Sequence, residues 1–231
     1  MKKNIKAIFL DIDNTLLDFD ECVRRAMVEG FAKFGLKPYE DWMYPVFVKI
    51  NNKVWEQLEN KELTFEELLH TRWQQVFDAI GIDFDGYTFE KYFVDYIYHS
   101  AIPVAGAEEI LQYLQGKYIL CAASNGPYRQ QCNRLTMANM LEYFDHIFIS
   151  ERLAAVKPTV AFGEKALAEM QKVGHNFAFE EIMVIGDSLS SDIALGKNCG
   201  MQTCLFNREG RIHEAQVDYE VTSLEALKNI I

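Results

Sequence analysis

The sequence predicts an α/β protein, a doubly wound parallel (Rossmann-like) sheet that carries an inserted α-helical cap. Three observations lead there. The chain opens with a short apolar run, Ile5 to Leu10, that ends abruptly in two acids, Asp11 and Asp13. Residues 19–100 then carry helical periodicity and no strand pattern. From Pro103 onward, apolar runs alternate with amphipathic stretches, the rhythm of β-α-β units with right-handed crossovers. The expected division is a catalytic core of residues 1–18 and 101–231 with a helical cap of residues 19–100, a lid on the carboxyl edge of the sheet.

Each element has its own reason. The Ile5 run is short, apolar and bounded by polar residues, which reads as a strand buried on both faces. In the cap, Val23, Ala26, Met27, Phe31 and Phe34 recur at helical spacing until Gly35. Phe47, Ile50, Val54 and Leu58 form the stripe of a second helix. Thr64 and Glu67 make a capping box that opens a third, with Phe65, Leu68, Leu69, Val76 and Ile80 as its stripe and Gly81 as its stop. A fourth is expected over 89–99. In the core, helices are expected over 107–116, 128–139, 159–173 and 191–199, and strands over 118–123, 147–149, 182–185 and 203–206. A last strand near Val221 and a helix from Leu224 close the chain.

Composition narrows the function classes. Of 231 residues 49% are apolar and 25% charged, enough for a sizeable globular core. A net charge of -11 argues against a nucleic acid polymer as partner, because that affinity comes from Lys and Arg displacing counterions. A small anion remains admissible if a metal or local cations reverse the field. The five cysteines are odd in number and include no close C-x-x-C pair, as in reduced thiols of a cytoplasmic protein. No secretory leader pattern opens the chain and no apolar run spans a bilayer, so no membrane partner is expected. A monomer or homodimer is expected.

Four clusters fall at the ends of core strands. If the chain stays extended beyond Leu10, Asp11 and Asp13 point the same way and both carboxylates face one cleft. Their repulsion then calls for a cation or a shared proton, although a solvated turn is the plainer reading of two such acids. Ser124-Asn125-Gly126 ends the second core strand and suits an anion, or is a plain turn. Lys157 precedes Pro158, which can open the next helix; by itself Lys157 reads as a surface lysine, and its position after the third core strand is what draws it to the site. Asp187 sits in the turn after 182–185, and Asp192 in the first turn of the following helix, where capping is the ordinary role of an Asp. Together they deliver hard carboxylate oxygens, a hydroxyl and a lysine to one edge, a set that matches Mg²⁺ and a phosphate.

With DIDNT, ASNG, KP and GDSLSSD in these four positions, the sequence resembles the haloacid dehalogenase superfamily of phosphohydrolases, over essentially the whole chain. The resemblance implies Asp11 as nucleophile, giving an aspartyl-phosphate, and Asp13 as the acid that protonates the leaving oxygen and then activates water. Asp13 would need its pKa raised by enclosure to act first as an acid. The resemblance also implies Ser124 and Lys157 as catalytic and phosphate-binding groups, joined in binding by Asn125 and Gly126. Mg²⁺ would be held by the Asp11 carboxylate, the Asp13 carbonyl and Asp187, with Asp192 direct or through water. An acid at Asp13 favours phosphate transfer to water over carbon–halogen cleavage.

The cap should set the substrate, a small phosphorylated metabolite. Asn51 interrupts the stripe of the second helix, Trp55 lies one turn along the same side, and Arg72 interrupts the third. Two readings stand: Asn51, Trp55 and Arg72 hold a base or sugar, or Asn51 and Arg72 satisfy each other inside the bundle with Trp55 as core. The opening motif and aromatic-rich cap are similar to bacterial pyrimidine 5′-nucleotidases of the superfamily. Phosphoglycolate or sugar-phosphate hydrolysis is the close alternative. A non-catalytic phosphate-binding regulator is the distant one, and it sits poorly with four intact motif acids and bases.

Overall fold

Ala7, Ile8, Phe9 and Leu10 form strand β1 (Ala7–Leu10), and all four are fully buried, as a strand covered on both faces must be. The computed structural model describes residues 4–231; residues 1–3 of the expected core segment lie outside the described residues. β1 lies between β2 (Ile119–Ser124) and β4 (Ile182–Gly186), parallel to both. With β3 (His146–Ile149), β5 (Gln202–Phe206) and β6 (Tyr219–Val221), the order is β3-β2-β1-β4-β5-β6, every pairing parallel. The order changes direction at β1, and the carboxyl edge of such a switch point is where open α/β sheets bind ligands. Leu10 stands opposite both Ala122 and Ile185, so the chain leaves β1, β2 and β4 at about one level.

By density of contacts the chain divides into two units, the segment up to Phe19 with Ala101–Ile231, and Asp20–Ser100. The second unit is helical: α1 (Phe19–Lys33) runs into it, followed by α2 (Met43–Glu59), α3 (Phe65–Ile80) and α4 (Gly86–Tyr98). Trp73 sits at its centre, with ring centroids of Phe47, Phe89 and Phe93 at 5.2, 4.3 and 5.1 Å. Thr64 Oγ1 accepts from the Glu67 amide at 3.2 Å while Glu67 accepts from the Thr64 amide at 2.8 Å, the capping box read from sequence. Helix α4 starts at Gly86, three residues before the expected 89. The reason is Asp85, whose carboxylate accepts from the Thr88 amide at 2.8 Å and caps the helix there.

In the first unit, α5 (Ala107–Leu114) and α6 (Tyr128–Met137) pack with Ile8 and Leu10 on one face of the sheet. A four-residue turn, α7 (Ser150–Leu153), follows β3 and was not foreseen. Helices α8 (Val160–Lys172) and α9 (Ala194–Cys199) pack with Ala7 and Phe9 on the other face. Alternate residues of β1 therefore feed two cores, which is the doubly wound arrangement. Pro158 lies two residues ahead of α8 and does not open it. A wide π-type turn, Leu189–Ile193, replaces the expected start of a regular helix at 191. The last helical segment, Leu224–Asn229, is a 3-10 turn where a helix was expected. Among the described residues no helix is long and apolar enough to cross a membrane.

Candidate active site

The residue after β1 is Asp11, whose amide donates to the Ile185 carbonyl of β4 at 2.9 Å. That bond extends the sheet by one residue and fixes the Asp11 carboxylate at the switch point. Lys157 reaches it from the loop before α8. Its ammonium donates to Asp11 Oδ1 at 2.7 Å, Asp192 Oδ1 at 2.6 Å and the Ala123 carbonyl at 2.7 Å, so all three of its N–H donors are used inside the protein. Lys157 is 2% exposed, which excludes the surface-lysine reading. Burial alone would lower its pKa, but Asp11 and Asp192 outweigh burial and raise it, so it stays charged.

The two acids of the β4 turn complete the cluster. Asp192 is buried, with Oδ2 accepting from the Ser188 amide at 3.1 Å. Gly186 makes that fold-back fit: a Cβ at this position would stand 2.2 Å from Asp192 Oδ2. Asp11, Asp187 and Asp192 each offer a carboxylate oxygen within 4.8 Å of the others. Burial, then the Asp192 carboxylate, push the Asp11 carboxyl up to about 7, with Lys157 pulling the other way. Asp187 is likewise pushed well above the ordinary carboxylate range, first by burial and then by Asp11 and Asp192. When all three carboxyls are ionised, they leave two negative charges beyond the one that the Lys157 ammonium offsets. A divalent cation of the oxygen-seeking kind matches both that charge and that donor set.

Asp13 departs from the sequence expectation. Its carboxylate does not join the Asp11–Asp187–Asp192 oxygens but turns toward α6, where Arg134 holds Oδ1 and Gln131 donates to Oδ2 at 2.6 Å. The period-two rule gives only the side of the chain that two residues share; the partners on α6 set where the Asp13 carboxylate goes. Just past Asp13 the chain turns, with Asn14 at φ 60° and its amide donating to the Leu17 carbonyl at 2.7 Å. Gln131 and Arg134 were missed from sequence. The signal present was two polar residues three apart, on one helix face, directly after the Ser-Asn-Gly loop.

That loop divides its labour. Ser124 Oγ accepts from the Gly126 amide at 3.0 Å and from Gln131 Nε2 at 2.8 Å, which directs its own proton elsewhere as the group it has to donate. The Asn125 side chain is engaged as a brace: Oδ1 accepts from the Lys157 amide at 2.8 Å and Nδ2 donates to the Lys157 carbonyl at 2.9 Å. It thus supports the lysine. In the other unit, Arg72 donates to Asn51 Oδ1 at 3.0 Å and to both oxygens of Glu90, all three residues being buried. The second of the two cap readings is thus the one their hydrogen bonds follow. Trp55 is half-buried, 6.5 Å from the Phe65 ring.

The comparisons with known proteins agree with this geometry. The family model for haloacid dehalogenase-like hydrolases matches residues 5–200. The chain belongs to that family. The pyrimidine 5′-nucleotidase PynA of Streptococcus pneumoniae is 32% identical over 98% of this chain and 97% of its own. The glyceraldehyde 3-phosphate phosphatase of Pyrococcus furiosus is 26% identical, over 99% of this chain and 94% of its own. Among solved structures, the hydrolase YfnB of Bacillus subtilis, in a magnesium-bound form, superposes with a TM-score of 0.87 at 26% identity, covering 99% of each chain. As a haloacid dehalogenase-like hydrolase, the chain carries its three acids after two neighbouring strands, β1 and β4, of a six-stranded parallel sheet, and brings Lys157 to them from the loop before α8.

Proposed function

We propose that this hydrolase cleaves phosphomonoesters through an aspartyl-phosphate on Asp11, with Mg²⁺ in the Asp11–Asp187–Asp192 cluster, and that it acts on nucleoside 5′-monophosphates. The observation that carries the reading is the cluster itself: three carboxylate oxygens within 4.8 Å, beside a buried lysine, at the switch point of the sheet. Magnesium would be held by these carboxylates with the Asp13 carbonyl, and would lower the repulsion between carboxylate and phosphate. In the first step an Asp11 oxygen attacks phosphorus, the bond from phosphorus to the leaving oxygen breaks, and Asp13 gives that oxygen its proton. In the second, Asp13 takes a proton from water, water oxygen bonds to phosphorus, and Asp11 is released with inorganic phosphate. Ser124 Oγ–H is the donor for a phosphate oxygen, while Lys157 keeps Asp11 in place and its charge compensated.

The nucleotide preference is supported by the 32% identity with a pyrimidine 5′-nucleotidase over nearly the full length of both chains. A panel of nucleoside monophosphates, phosphoglycolate and sugar phosphates, assayed for phosphate release with Mg²⁺ and with chelator, tests both parts. Uridine and thymidine monophosphates are expected to turn over fastest, and chelator to remove at least about 100-fold of the rate. Preference for a sugar phosphate would overturn the substrate assignment alone, whereas release unchanged by chelator would overturn the metal-dependent chemistry.

A further inference from the structure

Helix α6 presents two fully buried polar residues, Gln131 and Arg134, on one face. A buried cation is tolerated only beside a compensating charge, and a buried amide only with its hydrogen bonds made. Both requirements are met at Asp13. Arg134 Nη1 holds Asp13 Oδ1 and also donates to Gln131 Oε1 at 3.1 Å. Gln131 Nε2 has two protons, one directed to Asp13 Oδ2 at 2.6 Å and one to Ser124 Oγ at 2.8 Å. Ser124, Gln131, Arg134 and Asp13 thus form one connected network joining the loop after β2 to the loop after β1. Gly126 makes room for it: a Cβ there would lie 2.5 Å from Gln131 Nε2.

This network separates two kinds of acid. Asp192 is 1% exposed at its side chain and Asp11 11%, both tied to Lys157, whereas the Asp13 side chain is 30% exposed and tied to α6. We infer that Gln131 and Arg134 are positioning residues that hold the Asp13 carboxyl apart from the metal-binding acids and aimed at the leaving-group oxygen. The inference rests on the phosphatase reading above and adds to it two residues that act through Asp13. Its chemical consequence is specific. An alkoxide leaving group needs the proton that Asp13 supplies, while p-nitrophenolate leaves without one. A misplaced Asp13 should therefore harm the first substrate type far more than the second.

The test measures kcat/KM, which covers the steps through cleavage of the ester bond, for uridine monophosphate and for p-nitrophenyl phosphate. Wild type, Arg134→Gln, Arg134→Lys and Gln131→Leu are compared, each with its melting curve. Arg134→Gln and Gln131→Leu are expected to lose about 100-fold on uridine monophosphate and no more than about 10-fold on p-nitrophenyl phosphate, with Arg134→Lys regaining at least half of the loss on a logarithmic scale. Equal losses on the two substrates, or no loss, would overturn the inference, as would failure of all three variants to fold, which would make the network purely structural. Wild-type protein that releases phosphate from neither substrate would instead sink the phosphatase reading on which it stands.

Discussion

At the scale of single residues, the site is a problem of crowded charge, and Asp11 carries most of it. In the metal-free protein its carboxyl holds a proton up to about pH 7, whereas in the unfolded chain it gives the proton up near 3.8. Between those values the unfolded state binds fewer protons than the folded one, so stability falls as pH rises. This contribution is whole below about pH 4 and lost above about pH 7. Magnesium binds the ionised carboxylates, and its stabilising effect should grow across the same window. Measured against Asp11→Asn, which lacks this titration, the melting temperature of metal-free protein is expected to drop between about pH 5 and pH 8. The upward shift produced by Mg²⁺ should be larger at the higher pH. A magnesium shift independent of pH would contradict the assignment of the cation to this cluster.

Among the elements, the informative cases are helices with polar residues on their inner faces. Arg72 of α3 meets Glu90 of α4 and Asn51 of α2, and burial pushes the Glu90 carboxyl up against the opposing pull of Arg72. Removing the cation should strand a buried carboxylate. Arg72→Met is expected to lower stability by about 3–5 kcal/mol, and Arg72→Met with Glu90→Leu to recover most of that loss. Thermal denaturation checks both. A rise in KM with an unchanged melting curve would instead return Arg72 to a substrate role. The sequence showed that Arg72 and Asn51 needed partners, since each breaks an apolar stripe. It could not show Glu90, which falls between Phe89 and Phe93 at what was read as the start of the fourth helix; only the three-helix packing joins them. Helix α6 repeats the lesson, because Gln131 and Arg134 are ordinary in a helix until the loop after β1 delivers Asp13 to them.

For the molecule as a whole, the legible part was the one governed by period and by strand ends. Apolar runs separated by amphipathic stretches imply a parallel sheet, a parallel sheet gathers its strand ends on one edge, and Ser124 ends a core strand while Asp11, Lys157, Asp187 and Asp192 follow core strands. Hence the fold and the cluster could be read before any geometry. What remained hidden was side-chain direction wherever the backbone leaves regular structure. Asp13 is drawn to α6 by Arg134 and Gln131, and Asp192 folds back through a π-type turn that Gly186 leaves room for. Asn125 serves Lys157 because two loops distant in sequence meet at the sheet edge. On the proposed mechanism Asp11 is phosphorylated during turnover. Borohydride added to enzyme turning over uridine monophosphate with Mg²⁺, followed by peptide mass spectrometry, traps that intermediate. The expected result is reduction of Asp11 to homoserine, dependent on substrate and lost in Asp11→Asn along with phosphate release. Phosphate release near the wild-type rate from Asp11→Asn, or trapping at any other residue, would contradict the account.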